Sequence, residues 1–235
     1  MYDSELNGEP VTFGTSGFLY QNNKLMYDRT TNTLWHSLTG EPVVGELVGS
    51  GIELDRRPVT VTSWGEWLQE HPETTVVSVD TGFRRRYFDP SEEGSAYFEY
   101  RNSPDAMFPI FESDPRLLDK SNVVGIAIDG DALSVPTPLL TDQRVIHTEV
   151  GDENFVLLAH PDTGVLGVFE SSADLRFAAT DDPRTFTDRD RSEWTVTESR
   201  LVSDSGEILE RVPAREMFWF AWSAFFPNTR VYSGN

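Results

Sequence analysis

Apolar and polar positions alternate along this chain in short β-favouring runs, each closed by turn-forming residues. Strands are expected at Pro42 to Leu47, Ala96 to Tyr100, Val123 to Ile128, Arg144 to Val150, Phe155 to Ala159, Val165 to Phe169 and Glu193 to Val202. Asp129-Gly130, Gly151-Asp152, Asp162-Thr163-Gly164 and Asp204-Ser205-Gly206 read as hairpin turns between such strands. A short helix is expected after Ser63, where Ser63 and Glu66 have capping-box spacing and Trp64, Trp67 and Leu68 share one face. Pro72 ends it, and Thr74 to Val79 should follow as a strand. Met217 to Phe226 is apolar nearly all round, which predicts a helix buried on every side, with Arg230 to Ser233 as the closing strand. The fold class is therefore mainly β with a few short helices.

An internal repeat organises these elements. Shifting the chain by 155 positions brings residues 50–78 onto 205–233 with eleven identities in 29 positions, among them Trp64 with Trp219 and Trp67 with Trp222. About two identities would arise from ordinary residue frequencies, so two related β-rich units are expected. Upstream, Phe13 pairs with Phe177, Asp28-Arg29 with Asp188-Arg189 and Trp35 with Trp194. The first unit, residues 1–100, lacks a counterpart of Val123 to Glu170 and reads as short at its N-terminus. A Pro-containing connector at 101–120 leads to a complete second unit at 121–235.

Charge changes the picture of the surface. The 39 Asp and Glu against 19 Lys and Arg give a net charge of −20, and Lys24 and Lys120 are the only lysines. Abundant carboxylates with almost no lysine suit a surface hydrated in concentrated salt, where screening removes the self-repulsion, so a halophilic protein is expected. Phosphate backbones would be repelled, which argues against nucleic acid as a partner. The triplet Arg84-Arg85-Arg86 is the one basic cluster, either a strand edge among carboxylates or an anion clamp. No segment has the apolar length of a membrane span, and Met1 to Pro10 is polar and acidic. A soluble, cytoplasmic protein is expected, with export the alternative if the chain is the later part of a longer product.

Few chemistries find a motif. With no cysteine, thiolate catalysis, disulfides and cysteine-held zinc are excluded. His36, His71, His147 and His160 have no metal-ligand spacing, no phosphate loop or nucleophile elbow is present, and neither a cofactor, a metal nor a catalytic residue is expected. Tyr27, Asp28, Arg29, Thr30 and Trp35 gather polar and charged groups beside an aromatic wall. Recurrence of Asp-Arg in both units favours a structural clamp over a ligand site, and the six tryptophans read as paired cores. Residues found in one copy only, His36, Arg84, Arg86, Tyr87 and Lys120, are the other candidate binding positions. The leading expectation is a noncatalytic binding or scaffold domain of unknown ligand and open oligomeric state. The alternative is an enzyme with its site between the units.

Several segments resemble one known family in order. Thr12 to Ser37 reads TFGTSGFLYQNNKLMYDRTTNTLWHS, similar to a family segment in which an FGxSG turn precedes an MYDRxTxSLW motif. Trp64 to Thr74, Thr81 to Tyr87, Asp119-Lys120 before Val123-Val124-Gly125, and Phe218 to Thr229 continue it. The chain thus resembles the DUF3179 family along essentially its whole length. The resemblance implies no activity, since the family has none established. Members commonly carry a Cys-Pro-x-Cys segment and an export signal upstream of the FGxSG turn; neither is seen here, so no thiol role carries over.

Overall fold

The computed structural model describes residues 1–83 and 87–234. Strands β1 (Glu5–Leu6) and β2 (Glu9–Pro10) form a small hairpin. Then β3 (Phe13–Tyr20), β4 (Asn23–Asp28), β5 (Leu34–His36) and β6 (Pro42–Val44) run as an antiparallel four-stranded meander. Helices α1 (Trp64–Glu70) and α2 (Phe98–Asn102) follow. Hairpin strands β7 (Asn122–Ile128) and β8 (Asp131–Pro136) lead through α3 (Thr137–Gln143) to an antiparallel sheet of β9 (Val145–Val150), β10 (Glu153–His160) and β11 (Gly164–Ser171). A second meander comprises β12 (Phe177–Ala179), β13 (Thr185–Asp188), β14 (Glu193–Val196), β15 (Arg200–Ser203) and β16 (Ile208–Glu210). Finally β17 (Arg215–Phe218), α4 (Trp219–Ser223) and β18 (Arg230–Val231) return to the β7-β8 hairpin, β17 antiparallel to β7 and β18 parallel to β8. The fold is mainly β, with several sheets and four short helices among the described residues.

Strand β10 divides the packing of the second half. Because successive side chains point to opposite faces, Phe155, Leu157 and Ala159 join Leu133, Leu140 and Ile146 in one core. Val156 and Leu158 instead meet Phe169, Phe186, Trp194 and Leu201 of the second meander. A third, smaller cluster holds Trp219 and Trp222 against Val123.

Details recur at matched positions of the two halves. Phe13 pairs with Asp28 and lies edge-on to Trp35, as Phe177 pairs with Asp188 and lies edge-on to Trp194. Trp67 donates its indole N–H to Thr74 Oγ1 at 3.0 Å, and Trp222 donates to Thr229 Oγ1 at 3.0 Å. Arg57 N donates to Met1 O at 2.9 Å, and Val212 N to Val168 O at 2.9 Å. An isolated antiparallel bridge joins Tyr2 to Arg56, and another joins Phe169 to Arg211.

The expected elements are realised with four differences. Ser63 and Glu66 form the capping box of α1, but Thr74 to Val79 is not a strand: residues 75–79 are exposed, with no strand beside them among the described residues to supply a ladder. Ala96 to Tyr100 gives way to α2, since a left-handed Tyr97 and a Phe98 N to Ser95 O bond turn the chain away from extension. Glu193 to Val202 is two strands, folded back where Thr197 N and Oγ1 both donate to Arg200 O. In Met217 to Phe226 only Trp219–Ser223 is helical, because Met217 and Phe218 complete the ladder of β17 on β7. Every residue of α4 is buried, as all-round apolarity requires. Of the six tryptophans, Trp35, Trp194, Trp219 and Trp222 are core residues, Trp67 is half-buried and Trp64 is 49% exposed.

Candidate functional site

Asp28, at the end of β4, is fully buried and its carboxylate is saturated. It accepts from the backbone N–H of Thr30, Thr31 and Thr33, from Thr31 Oγ1, and from Trp35 Nε1 at 2.9 Å. Burial works against its charge, but the donors from Thr31, Trp35 and Thr30 outweigh it and hold the carboxyl below the usual aspartate value. Asp188 does the same at the end of β13, accepting from Trp194 Nε1 at 2.9 Å and from the N–H of Asp190 and Ser192, with the Trp194 indole the largest influence lowering its pKa. The Arg29 guanidinium lies 5.2 Å from the centre of the Tyr27 ring, which itself packs against Gly14. Asp28 and Trp35 are thus brought together, and Tyr27 with Arg29.

The other expected positions are apart. His36 is buried on β5, its ring 4.1 Å from that of Phe225 and edge-on to Tyr20. Its Nδ1 accepts from Thr39 N at 3.1 Å, which leaves the proton on Nε2, and Nε2 has no partner. Burial, then the Arg215 charge, lower its pKa to about 4, so the ring is neutral. Lys120 donates to the carbonyls of Tyr100 and Ser103, and its ammonium sits 4.1 Å from the Tyr100 ring centre and 5.3 Å from that of Phe218, so it holds the two ends of the connector together and meets β17. Tyr87 is exposed, its hydroxyl 3.0 Å from Thr81 Oγ1. Arg84 and Arg86 lie outside the described residues. Among the described residues, no hydrogen bond or ring contact joins Lys120 or Tyr87 to His36 or to Asp28.

A different set of residues lines the crevice where the halves meet. Met1, Arg57, Val59 and Val61 form one wall, and Val124, Val165 to Val168 and Arg211 to Glu216 the other, around a volume of about 210 Å³. Arg57 is neutralised by two-pronged contact with Asp3, Nε to Oδ1 at 2.8 Å and Nη2 to Oδ2 at 2.6 Å. Arg211 and Arg215 are not: neither has a carboxylate within 4.0 Å among the described residues. Arg211 is buried, donates to the carbonyls of Leu166 at 2.6 Å and Thr197 at 3.2 Å, and its Nε has no partner. Burial first, then the Arg184 charge, lower its pKa to about 10. Gly167 makes room for it, since a Cβ there would overlap the guanidinium. Arg215 donates to Tyr2 Oη at 2.8 Å, and Tyr2 in turn donates to Leu38 O at 2.7 Å, linking the His36 turn to the crevice. Burial is the main influence lowering the Arg215 pKa. Two cations with no carboxylate within 4.0 Å, Arg211 partly offset by Glu198 from farther off, set this crevice apart in a chain of net charge −20.

A family model described as a protein of unknown function, DUF3179, matches residues 1–229. The chain belongs to the DUF3179 family. No curated protein and no solved structure matches it. In this DUF3179 member the MYDRTTNTLW segment builds the Asp28–Trp35 clamp, and the FWFAWSAFFPNT segment builds α4 and the Trp222–Thr229 bond. No group of three or more metal-ligating side chains converges among the described residues, and no helix is long and apolar enough to cross a membrane. Sequence reasoning missed Arg211 and Arg215. Arg211 was visible as the partner of Arg56 in the repeat, but Arg56 is ion-paired with Glu53 at 2.7 Å, and only the fold reveals that Arg211 is not.

Proposed function

We propose that the protein is a noncatalytic binding module made of two related units, residues 1–100 and 121–235, and that it holds a small carboxylate with an aliphatic body in the crevice between them. The observation that carries this reading is the pair Arg211 and Arg215, both lacking a carboxylate partner, set among Val124, Val165, Val168 and Val212. A guanidinium partly freed from water gains most from an acceptor that it can grip with two N–H groups, and valine walls favour an alkyl tail. The saturated carboxylates of Asp28 and Asp188 speak for framework roles, which supports binding over catalysis.

Descent of the two units from one ancestor is supported by the matched indole bonds, the matched Arg57 and Val212 backbone bonds, and the matched edge-on phenylalanines. Retention of hydrogen bonds at equal spacing is more informative than retention of apolar character, because each bond needs two particular residues.

The test is calorimetric titration in molar potassium chloride with hexanoate, and with hexylammonium as the control of opposite charge. Hexanoate is expected to bind and hexylammonium not. Arg215→Ala should weaken hexanoate at least tenfold, about 1.4 kcal/mol. Equal behaviour of the two probes, or no effect of Arg215→Ala, rejects the crevice as an anion site.

A further inference from the structure

One face of the β9-β10 pair turns from apolar to polar along its length. Residues directly opposite each other share a face, so Val145 with Leu158, His147 with Val156 and Glu149 with Asn154 form one row. Val156 and Leu158 are buried against the second meander, whereas Asn154 is half-buried and Glu149 exposed. At this polar end His147, Glu149 and Asn154 line a pocket of about 190 Å³ with Ser172 and Arg176, which lie between β11 and β12. His147 Nε2 accepts from Phe177 N at 2.9 Å, which puts the ring proton on Nδ1. That N–H has no acceptor among the described residues and, unlike Nε2 of His36, is not sealed from solvent. Burial first, then the Arg176 and Arg189 charges, lower the His147 pKa to about 4, so the ring is neutral and Nδ1 remains a donor. Arg176 commits Nη1 to the carbonyls of Ser172 at 3.3 Å and Leu175 at 3.0 Å, which fixes the guanidinium and leaves Nε and Nη2 without a partner among the described residues. The Glu149 carboxylate has no hydrogen bond or ion pair there either, and no carboxylate lies within 4.0 Å of Arg176 or Arg189.

We infer that this pocket binds a phosphate group that carries a hydroxyl, with Arg176 and His147 as donors and Glu149 as the acceptor of the P–OH proton. Nε and Nη2 form one edge of the guanidinium, the fork that grips two phosphate oxygens at once. His147 Nδ1, the Asn154 amide and the Ser172 hydroxyl, whose oxygen accepts from Leu175 N at 3.3 Å and whose hydrogen is free, supply the remaining donors. Glu149 decides which anion is taken. A carboxylate repels a bare oxyanion and attracts one only through a proton that the ligand itself brings, so hydrogen phosphate is accepted and sulfate, which has no hydroxyl near neutral pH, is turned away. Free phosphate and a phosphomonoester near its second pKa, about 6, both offer that hydroxyl. The pocket shares no residue with the valine-walled crevice at Arg211 and Arg215, and its test does not depend on that site.

The probes are inorganic phosphate, sulfate and methyl phosphate, titrated calorimetrically into the full chain at about pH 6 in molar potassium chloride. Phosphate is expected to bind at least about tenfold more tightly than sulfate. Arg176→Lys keeps the charge and loses the fork, and should weaken phosphate by about tenfold. Glu149→Gln, a change at an exposed residue, should bring phosphate and sulfate to within about threefold of each other. In the unmodified protein the imidazole nitrogen resonances of His147 should shift as phosphate saturates while those of His36 and His71 stay, a readout that needs no variant to fold. Methyl phosphate that binds as tightly as phosphate assigns the site to a phosphomonoester, and weaker binding assigns it to the free anion. Absence of phosphate binding, equal affinity for sulfate, indifference to Arg176→Lys, or shifts confined to the other histidines overturns the inference.

Discussion

At the scale of single residues, the polar groups that matter are those the fold has removed from water. His36 is the clearest titratable case. Its Nδ1 is committed to Thr39 N, its ring is packed between Phe225 and Tyr20, and Arg215 stands nearby, so the imidazolium would be both desolvated and repelled. The folded-state pKa of about 4 lies below the ordinary value of 6.5. For a depressed pKa the stabilisation is complete above the unfolded value and is lost as pH falls, because below 6.5 the unfolded chain takes up a proton that the folded one refuses. Between pH 7.5 and 5 this single group removes about 2 kcal/mol of stability. His36→Asn keeps an acceptor for Thr39 N and cannot titrate. Urea denaturation of both proteins at the two pH values should show a smaller pH-dependent loss in His36→Asn, by about that amount, and an identical loss would remove His36 as the cause. His147, also lowered to about 4 by burial first and then by Arg176 and Arg189, titrates in both proteins and so drops out of the comparison.

At the scale of elements, α1 and α4 share local geometry and differ in environment. Trp219 is fully buried, donates its indole N–H to Asp114 O at 2.9 Å and lies under the Arg116 guanidinium, so the connector seals it. Trp64 has no such cover. Trp219→Ala should therefore destabilise by about 3–5 kcal/mol and Trp64→Ala by under about 1 kcal/mol, measured by urea denaturation in molar salt. Comparable losses would show that Trp64 is packed as deeply as its counterpart. The sequence carried much of this level. Capping-box spacing, hairpin turns and tryptophan spacing are local, and Ser63, Asp129-Gly130 and the Trp67 and Trp222 bonds follow from them. Short strands such as Phe177–Ala179 and Arg215–Phe218 left no readable alternation, since three or four residues cannot establish a period. The failed strand at Thr74 to Val79 has a different cause: its β propensity is real, but no described strand lies beside it to supply a ladder. Nor was the Arg211 and Arg215 crevice readable, because an arginine becomes a site only where the fold withholds a carboxylate, and that depends on contacts far apart in sequence.

At the scale of the whole molecule, the excess of carboxylates sets the conditions under which any of this holds. A net charge of −20 on 235 residues stores repulsion that favours expansion, and the cations available to offset it are few. Several are already committed: Arg57 to Asp3, Arg116 to Asp114, Arg184 to Glu70, and Lys120 to backbone carbonyls. The remaining acidic groups must be screened by the solvent. Raising salt from about 0.1 M to about 1 M shortens the screening length from roughly 10 Å to roughly 3 Å, which removes repulsion between surface carboxylates while leaving buried contacts such as Asp28 with Trp35 almost untouched. Salt also weakens exposed ion pairs, but each of those contributes at most about 1 kcal/mol, so the balance favours stabilisation. The melting temperature is therefore expected to rise steadily from low to molar potassium chloride. A curve that is flat or falls over that range would mean the carboxylates are held by local partners rather than by salt, and would end the reading of this surface as one adapted to brine.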